Sequence, residues 1–205
     1  VIPSRRHSVG RAAGMRAAYE SAFSQAARRH CITLVAGSIP LPGNGADARR
    51  LLNQCGVFGP DGELMGMIPK VNLVDMERRM LGMHGGSLDE LRVFPAREMT
   101  FGAAICFDVW HPPVVQRLAD LGATLIASPQ ANPLPWTDAE KAANREGLIT
   151  RCREMSLWGI QAMGVGEIAG LRFEGQSAII GPGVTGIVAE AAGHLAEELL
   201  VAEVA

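Results

Sequence analysis

The chain has 205 residues, 48% of them hydrophobic, which is enough apolar material to bury one core and hold a preorganised site. Its 19 basic and 21 acidic side chains leave a net charge of -2, so no basic field exists to attract nucleic acid or an anionic membrane. No apolar run approaches the roughly 20 residues that cross a bilayer, and the opening Val1-Ile2-Pro3-Ser4-Arg5-Arg6 does not read as a signal peptide, so the cytoplasm is the expected compartment.

Taken in chain order, Arg11 to His30 is rich in Ala and Arg, and Met15, Tyr19, Ala22, Phe23 and Ala26 recur at helical spacing, which predicts an amphipathic helix. Cys31 to Ala36 is a short β-branched apolar run ended by Gly37 and predicts a buried strand; Leu41-Pro42-Gly43-Asn44-Gly45 predicts a loop. Residues Arg49 to Phe58 and Glu63 to Lys70 flank the turn Pro60-Asp61-Gly62 and predict a β-hairpin with Lys70 at its far end. Leu91 to Phe94 and Met99 to Cys106 read as strands. Pro112 and Pro113 suit the first turn of a helix, where a missing N–H costs nothing, with Val114, Val115, Leu118 and Leu121 on its buried face. Ala123 to Ser128 is again a strand. This β-α-β order puts Cys106 at the carboxyl end of a strand, where open α/β sheets place their ligands. A Pro-rich loop from Pro129 to Asp138, a helix from Ala139 to Ser156, a strand from Trp158 to Val165, a hairpin of Gln176 to Ile180 with Gly186 to Glu190, and a last strand from Glu198 to Val204 complete a mixed α/β chain. No repeat, low-complexity tract or composition break marks a boundary, so residues 1–205 read as a single domain.

Cys31, Cys55, Cys106 and Cys152 are widely spaced and form no CxxC pair, and no two of the five histidines sit at helical ligand spacing, so neither a metal nor another cofactor is expected. Gly181-Pro182-Gly183-Val184-Thr185-Gly186 matches the GxGxxG pattern of dinucleotide loops. The segment that follows reads as a strand, and Pro182 removes a backbone donor, so a hairpin turn explains it better.

Cleaving an amide needs a nucleophile stronger than water, a stabiliser for the tetrahedral oxyanion and an acid for the departing nitrogen. A thiol is a weak nucleophile until a nearby ammonium favours its thiolate. Cys106 and Lys70 are the residue types for this chemistry. Taken singly, each also fits a bland role, a buried core thiol and a solvated charge at a strand end.

Their surroundings are more specific. Gly102-Ala103-Ala104-Ile105-Cys106-Phe107-Asp108 followed by Pro112 resembles the nucleophile signature of the nitrilase superfamily, in which Cys precedes an aromatic residue and then an acid. Asp61-Gly62-Glu63-Leu64 followed by Pro69-Lys70-Val71-Asn72-Leu73 is similar to the hairpin that carries the family's lysine. Arg151-Cys152-Arg153-Glu154-Met155, Gly175-Gln176-Ser177-Ala178-Ile179 and Pro182-Gly183 resemble its later helix and hairpin, so that the likeness runs from about Ala17 to Val204.

The resemblance implies a four-layer α-β-β-α sandwich that pairs into a homodimer or a larger homo-oligomer. It implies that Cys106 forms a thioester, that Lys70 and the backbone N–H of Phe107 hold the oxyanion, and that Glu77 orients the site; Glu77 equally fits a surface charge in a loop. The expected substrate is a small amide or carbamoyl compound. Nitrile hydrolysis is the nearest alternative: Glu77-Arg78, Gly82 and Gly85-Gly86-Ser87 lean toward nitrilases, whereas Phe107-Asp108 leans toward amidases. Acyl transfer from the same thioester to an amine stays open.

One departure stands out. The family's general-base glutamate precedes the helix and strand that correspond here to Arg11–Ala36, and this chain opens on Val1, so the expectation is a fold incomplete at its N-terminus and, without that base, a rate lower by about 10²- to 10⁴-fold, a loss that can leave the chain inactive as it stands. Glu20 is the only carboxylate before Asp47, and its place on the helix suits a solvated charge better than a base. A non-catalytic binding or assembly module that has lost its base is therefore the alternative from another class.

Overall fold

The computed structural model describes the backbone of residues 5–43, 45, 48–168 and 170–204, with side chains throughout except those of 5–11 and 13. Asn44 of the expected loop and Val1 to Ser4 of the opening lie outside these residues. The chain divides into two compact units, Val1–Leu91 and Arg92–Ala205, each of which carries one layer of helix and one of sheet.

In the first unit a long helix, α1 (Arg5–His30), leads to strands β1 (Leu34–Val35), β2 (Ile39–Pro42), β3 (Leu51–Phe58) and β4 (Leu64–Pro69). The central strand is β3, antiparallel to β2 at one end, to β1 at the other, and to β4 along its opposite edge. Helix α1 ends in a Schellman turn, with the Cys31 N–H on the Arg28 carbonyl and the Ile32 N–H on that of Ala27. Cys31 takes the left-handed position (φ 50°) that glycine usually fills. Tyr19 and Ala27 pack with Ala36 and Phe58, and Phe23 lies against this cluster. The buried stripe is narrower than expected, since Met15 and Ala22 face solvent. The expected strand Cys31–Ala36 shrinks to two residues, because the Schellman turn takes up Cys31 and Ile32. Conversely, the expected loop at Leu41-Pro42 is the end of β2, an edge strand where proline leaves no ladder bond unmade.

The hairpin turn is held by the helix: Ser24 Oγ donates to the Gly62 carbonyl at 2.6 Å and Arg28 Nε to that of Asp61 at 2.7 Å. Gly62 has φ 82°, and a Cβ there would sit 2.6 Å from the Ser24 carbonyl oxygen, so glycine is required on both counts.

Tyr19 joins the helix to the sheet, donating its hydroxyl to the Gly37 carbonyl and accepting from the Gly56 N–H, both at 2.8 Å. Burial pushes this hydroxyl up from 10.0 to about 12, although the Gly56 N–H pulls the other way. Because the folded value is the higher one, the stabilisation is complete below pH 10 and is lost as pH rises from 10 through 12. Tyr19→Phe is expected to be less stable than the parent at neutral pH by about 1 kcal/mol, the usual net worth of a hydrogen bond. In chemical denaturation that gap narrows as pH climbs through the same window.

The second unit is a six-stranded sheet in the order β12-β11-β8-β7-β6-β5, built from β5 (Val93–Ala96), β6 (Met99–Ala103), β7 (Leu125–Ala131), β8 (Trp158–Gly164), β11 (Ala178–Gly181) and β12 (Gly186–Glu190). Strands β6, β7 and β8 run parallel and the flanking pairs antiparallel. Helix α2 (Pro112–Asp120) crosses from β6 to β7, with two prolines in its first turn and Val114, Val115 and Leu118 buried. Leu121, expected on that face, is half-exposed because it falls at the helix end. The crossover from β7 to β8 is two helices, α3 (Asp138–Arg145) and α4 (Leu148–Met155), in place of the single expected helix. The break falls at Gly147, where a Cβ would lie 3.0 Å from Val109 and 3.1 Å from Trp110, so a side chain there would make those neighbours give way. A small exposed hairpin, β9 (Gly166–Ile168) with β10 (Leu171–Phe173), follows β8. Glu198 to Val204 is not a strand: the segment finds no ladder partner, and Glu198 accepts instead from the Ala192 N–H. The GxGxxG stretch is the β11–β12 hairpin turn, in keeping with its turn chemistry.

Candidate active-site groups

Cys106 lies three residues past the end of β6, whose direction is fixed by parallel pairing to β7 and extended by the Ala104 N–H on the Ala127 carbonyl. At Cys106 the chain turns into one 3-10 turn, Cys106–Trp110, before α2 begins. Cys106 has φ 49°, a left-handed conformation that a side-chain-bearing residue adopts only when its surroundings impose it. The imposing group is Asp108, 1% exposed, whose Oδ2 accepts from the Ile105 N–H at 3.3 Å while its own N–H reaches the Ile105 carbonyl at 3.1 Å. The acid of the Cys-aromatic-acid motif therefore braces the turn. The Cys106 thiol is half-buried, 4.0 Å from the Ala131 carbonyl at the end of β7. Phe107 is the second residue of the turn, so its backbone N–H lies in the first turn, where a 3-10 helix supplies no acceptor of its own.

The other thiols differ. Cys55 and Cys152 are buried and Cys31 is exposed. Burial alone pushes Cys152 from 9.0 up to about 12, which makes it an inert core thiol.

Beneath the end of β7 lies a buried polar cluster that no sequence motif announces. Gln130 Nε2 donates to Ser128 Oγ (3.1 Å) and Gln161 Oε1 (3.2 Å), Gln161 Nε2 donates to Asn144 Oδ1 (2.7 Å), and Asn144 Nδ2 donates to Gln130 Oε1 (3.4 Å). It ties α3 to β7 and β8 one residue before the carbonyl that faces Cys106. Its only sequence signal is the presence of amide residues inside otherwise apolar strands.

In the first unit Lys70 follows β4 directly. Its N–H donates to the Asn53 carbonyl at 2.8 Å and its carbonyl accepts from the Gly86 N–H at 2.9 Å, so its backbone is fixed on both sides. Its side chain is 2% exposed, and Nζ donates to Glu77 Oε2 at 2.7 Å. Glu77 sits in a single π-helical turn, Met76–Met80, closed by the Leu81 N–H on the Met76 carbonyl. Within this Met-Glu-Arg-Arg-Met turn the glutamate is the buried residue, at 6% exposure, while both methionines are exposed. That inverts ordinary patterning, and such inversions mark functional positions. Glu77 Oε2 also accepts from the Val74 N–H (2.9 Å) and Oε1 from Asn53 Nδ2 (2.7 Å). A carboxylate that accepts three hydrogen bonds, one from a lysine Nζ, is fixed in place and suits orientation. Of the three ammonium donors of Lys70, Glu77 takes one. Glu20, by contrast, pairs with Arg16 across one helical turn at 3.2 Å.

Among the described residues no group of three His, Cys, Asp or Glu side chains could hold a metal ion, and no helix is long and apolar enough to cross a membrane.

The carbon-nitrogen hydrolase family model matches residues 3–205, and the chain belongs to that family. It is 31% identical over 130 residues to an omega-amidase of Xenopus laevis, a match that covers 58% of this chain and 46% of the relative. It is 32% identical over 158 residues to a nitrilase of Pyrococcus abyssi, covering 77% of this chain and 55% of that protein. The chain thus spans about half the length of the curated relatives it matches. Among solved structures, an amidase from Nesterenkonia sp. AN1 superposes with a TM-score of 0.74 at 25% identity, covering 90% of this chain and 68% of that one. The mixed α/β architecture is that of the nitrilase superfamily. A mutant of that amidase carries the acetamide moiety of fluoroacetamide covalently on its active-site cysteine.

Proposed function

We propose that residues 1–205 form one carbon-nitrogen hydrolase domain that hydrolyses a carboxamide through Cys106. The thiolate sulfur adds to the carbonyl carbon and the π pair moves onto oxygen, giving an oxyanion held by the Lys70 ammonium and the Phe107 N–H. Collapse re-forms the carbonyl and breaks the C–N bond; the nitrogen takes the proton the thiol gave up and leaves as ammonia. Water then adds to the thioester carbon and the C–S bond breaks, so that amide and water become carboxylic acid and ammonia with the thiol restored. Glu77 keeps the Lys70 ammonium aimed. The observation that supports this reading most is the half-buried Cys106 thiol on an imposed left-handed turn at the carboxyl end of β6, in a chain of this family.

A second reading, nitrile hydrolysis, is favoured by the likeness to the Pyrococcus nitrilase over 77% of the chain. Sulfur would add to the nitrile carbon, and two waters in succession would give the same acid and ammonia. Four cysteines with no disulfide suit the reducing cytoplasm, and a homodimer or larger assembly completes the proposal.

Ammonia release from a panel of short aliphatic amides, ω-amides of dicarboxylic acids, carbamoyl compounds and nitriles tests the choice. Release from amides, absent in Cys106→Ala, is the expected result. Release from nitriles alone selects the second reading, and none from any compound by folded protein favours the non-catalytic module.

A further inference from the structure

We infer that Asn53 is a positioning residue of the thiol reaction, one that holds Glu77 and, through it, the Lys70 ammonium. The inference rests on the assignment of Lys70 to the Cys106 reaction made above.

Asn53 lies in β3, beside the strand that delivers the lysine, and it touches both members of the ion pair. Its carbonyl accepts from the Lys70 N–H at 2.8 Å, and its Nδ2 donates to Glu77 Oε1 at 2.7 Å. The orientation of the amide is settled by charge, since the flipped rotamer would press a carbonyl oxygen against a carboxylate oxygen. With Oε1 anchored by Asn53 and Oε2 shared between the Val74 N–H and Lys70 Nζ, the carboxylate has no freedom to rotate. The ammonium that leans on it inherits that fixed position, and its remaining N–H bonds have defined directions.

A second observation separates this from ordinary packing. Asn53 Oδ1 is buried and has no hydrogen-bond partner among the described residues. A buried acceptor left unsatisfied destabilises a fold, and an apolar side chain of the same size would avoid it. Asparagine therefore lowers stability at this point while supplying a donor to Glu77 Oε1.

The test is a double-mutant cycle read on Cys106 itself, which needs no turnover. In a Cys31→Ser background, where the remaining thiols Cys55 and Cys152 are buried, the rate of Cys106 carbamidomethylation by iodoacetamide is measured by mass. Asn53→Leu keeps the shape without the donor and is expected to slow alkylation by roughly five- to tenfold, as a charged neighbour stops favouring the thiolate. Glu77→Gln should slow it to a similar degree, and adding Asn53→Leu to Glu77→Gln should cost less than twofold more, because both act through the same ammonium. Equal slowing in the two backgrounds, or no slowing by Asn53→Leu while Lys70→Met slows the reaction, overturns the inference and leaves the lysine assignment intact. An unchanged rate in Lys70→Met overturns that assignment and the inference with it. Thermal melting shows that each variant is folded, and Asn53→Ser, too short to reach Glu77, replaces the leucine variant if that one does not fold.

Discussion

Cys106→Ala is expected to lower amide hydrolysis by about 10⁴-fold or more, the scale on which removal of a covalent nucleophile acts, with little change in stability. Both halves of that expectation come from the turn. The thiol is half-buried and its turn is held by Asp108, whose carboxylate accepts from the Ile105 N–H and whose N–H donates to the Ile105 carbonyl, so the alanine inherits the same conformation. Residual activity close to the parent's would move the chemistry elsewhere. Ammonia release and a denaturation curve on the same preparation check both halves.

Lys70→Met is expected to lower turnover by about 10²- to 10³-fold, the range for loss of one oxyanion donor, and also to destabilise the fold by roughly 3–5 kcal/mol. The stability loss arises because Glu77, 6% exposed, would lose the ammonium 2.7 Å away that offsets the cost of its burial. Attraction in a buried pair does little more than offset the desolvation of both ions, so leaving one ion alone costs more than the pair contributes. It follows that Lys70→Met with Glu77→Leu should recover most of the lost stability and none of the activity. If the double variant were as unstable as the single one, the pair would be acting through packing and not charge.

Much of this is legible in the sequence, for identifiable reasons. The β6–α2–β7 unit is written in local signals, namely an apolar small-residue strand, two prolines at a helix start and a period of three and four through Val114, Val115 and Leu118. The β3–β4 hairpin follows from its turn residues, with Lys70 at its end. Glu77 is ambiguous in sequence because a lone charge in a loop has no periodicity; only the π-helical turn, which sequence patterns do not announce, carries it inward. Sequence reasoning misses Asn53 because its partner is 24 residues away, and nothing in β3 beyond two adjacent amides among apolar residues marks it. Gly147 signals the split between α3 and α4, but the close approach of Val109 and Trp110 that favours a glycine there depends on the tertiary packing of an element distant in sequence. The absent last strand shows the converse: the apolar run Leu199 to Ala202 pairs with no strand among the described residues.

Carbon-nitrogen cleavage through a covalent bond to Cys106 is checked by acid quenching during turnover of an amide. Mass spectrometry of the quenched protein is expected to find the substrate's acyl group, without its nitrogen, on the peptide containing Cys106, and the adduct to disappear when substrate is exhausted. Ammonia release with no acyl adduct at any time of quenching, or an adduct on Cys31 instead, would contradict it.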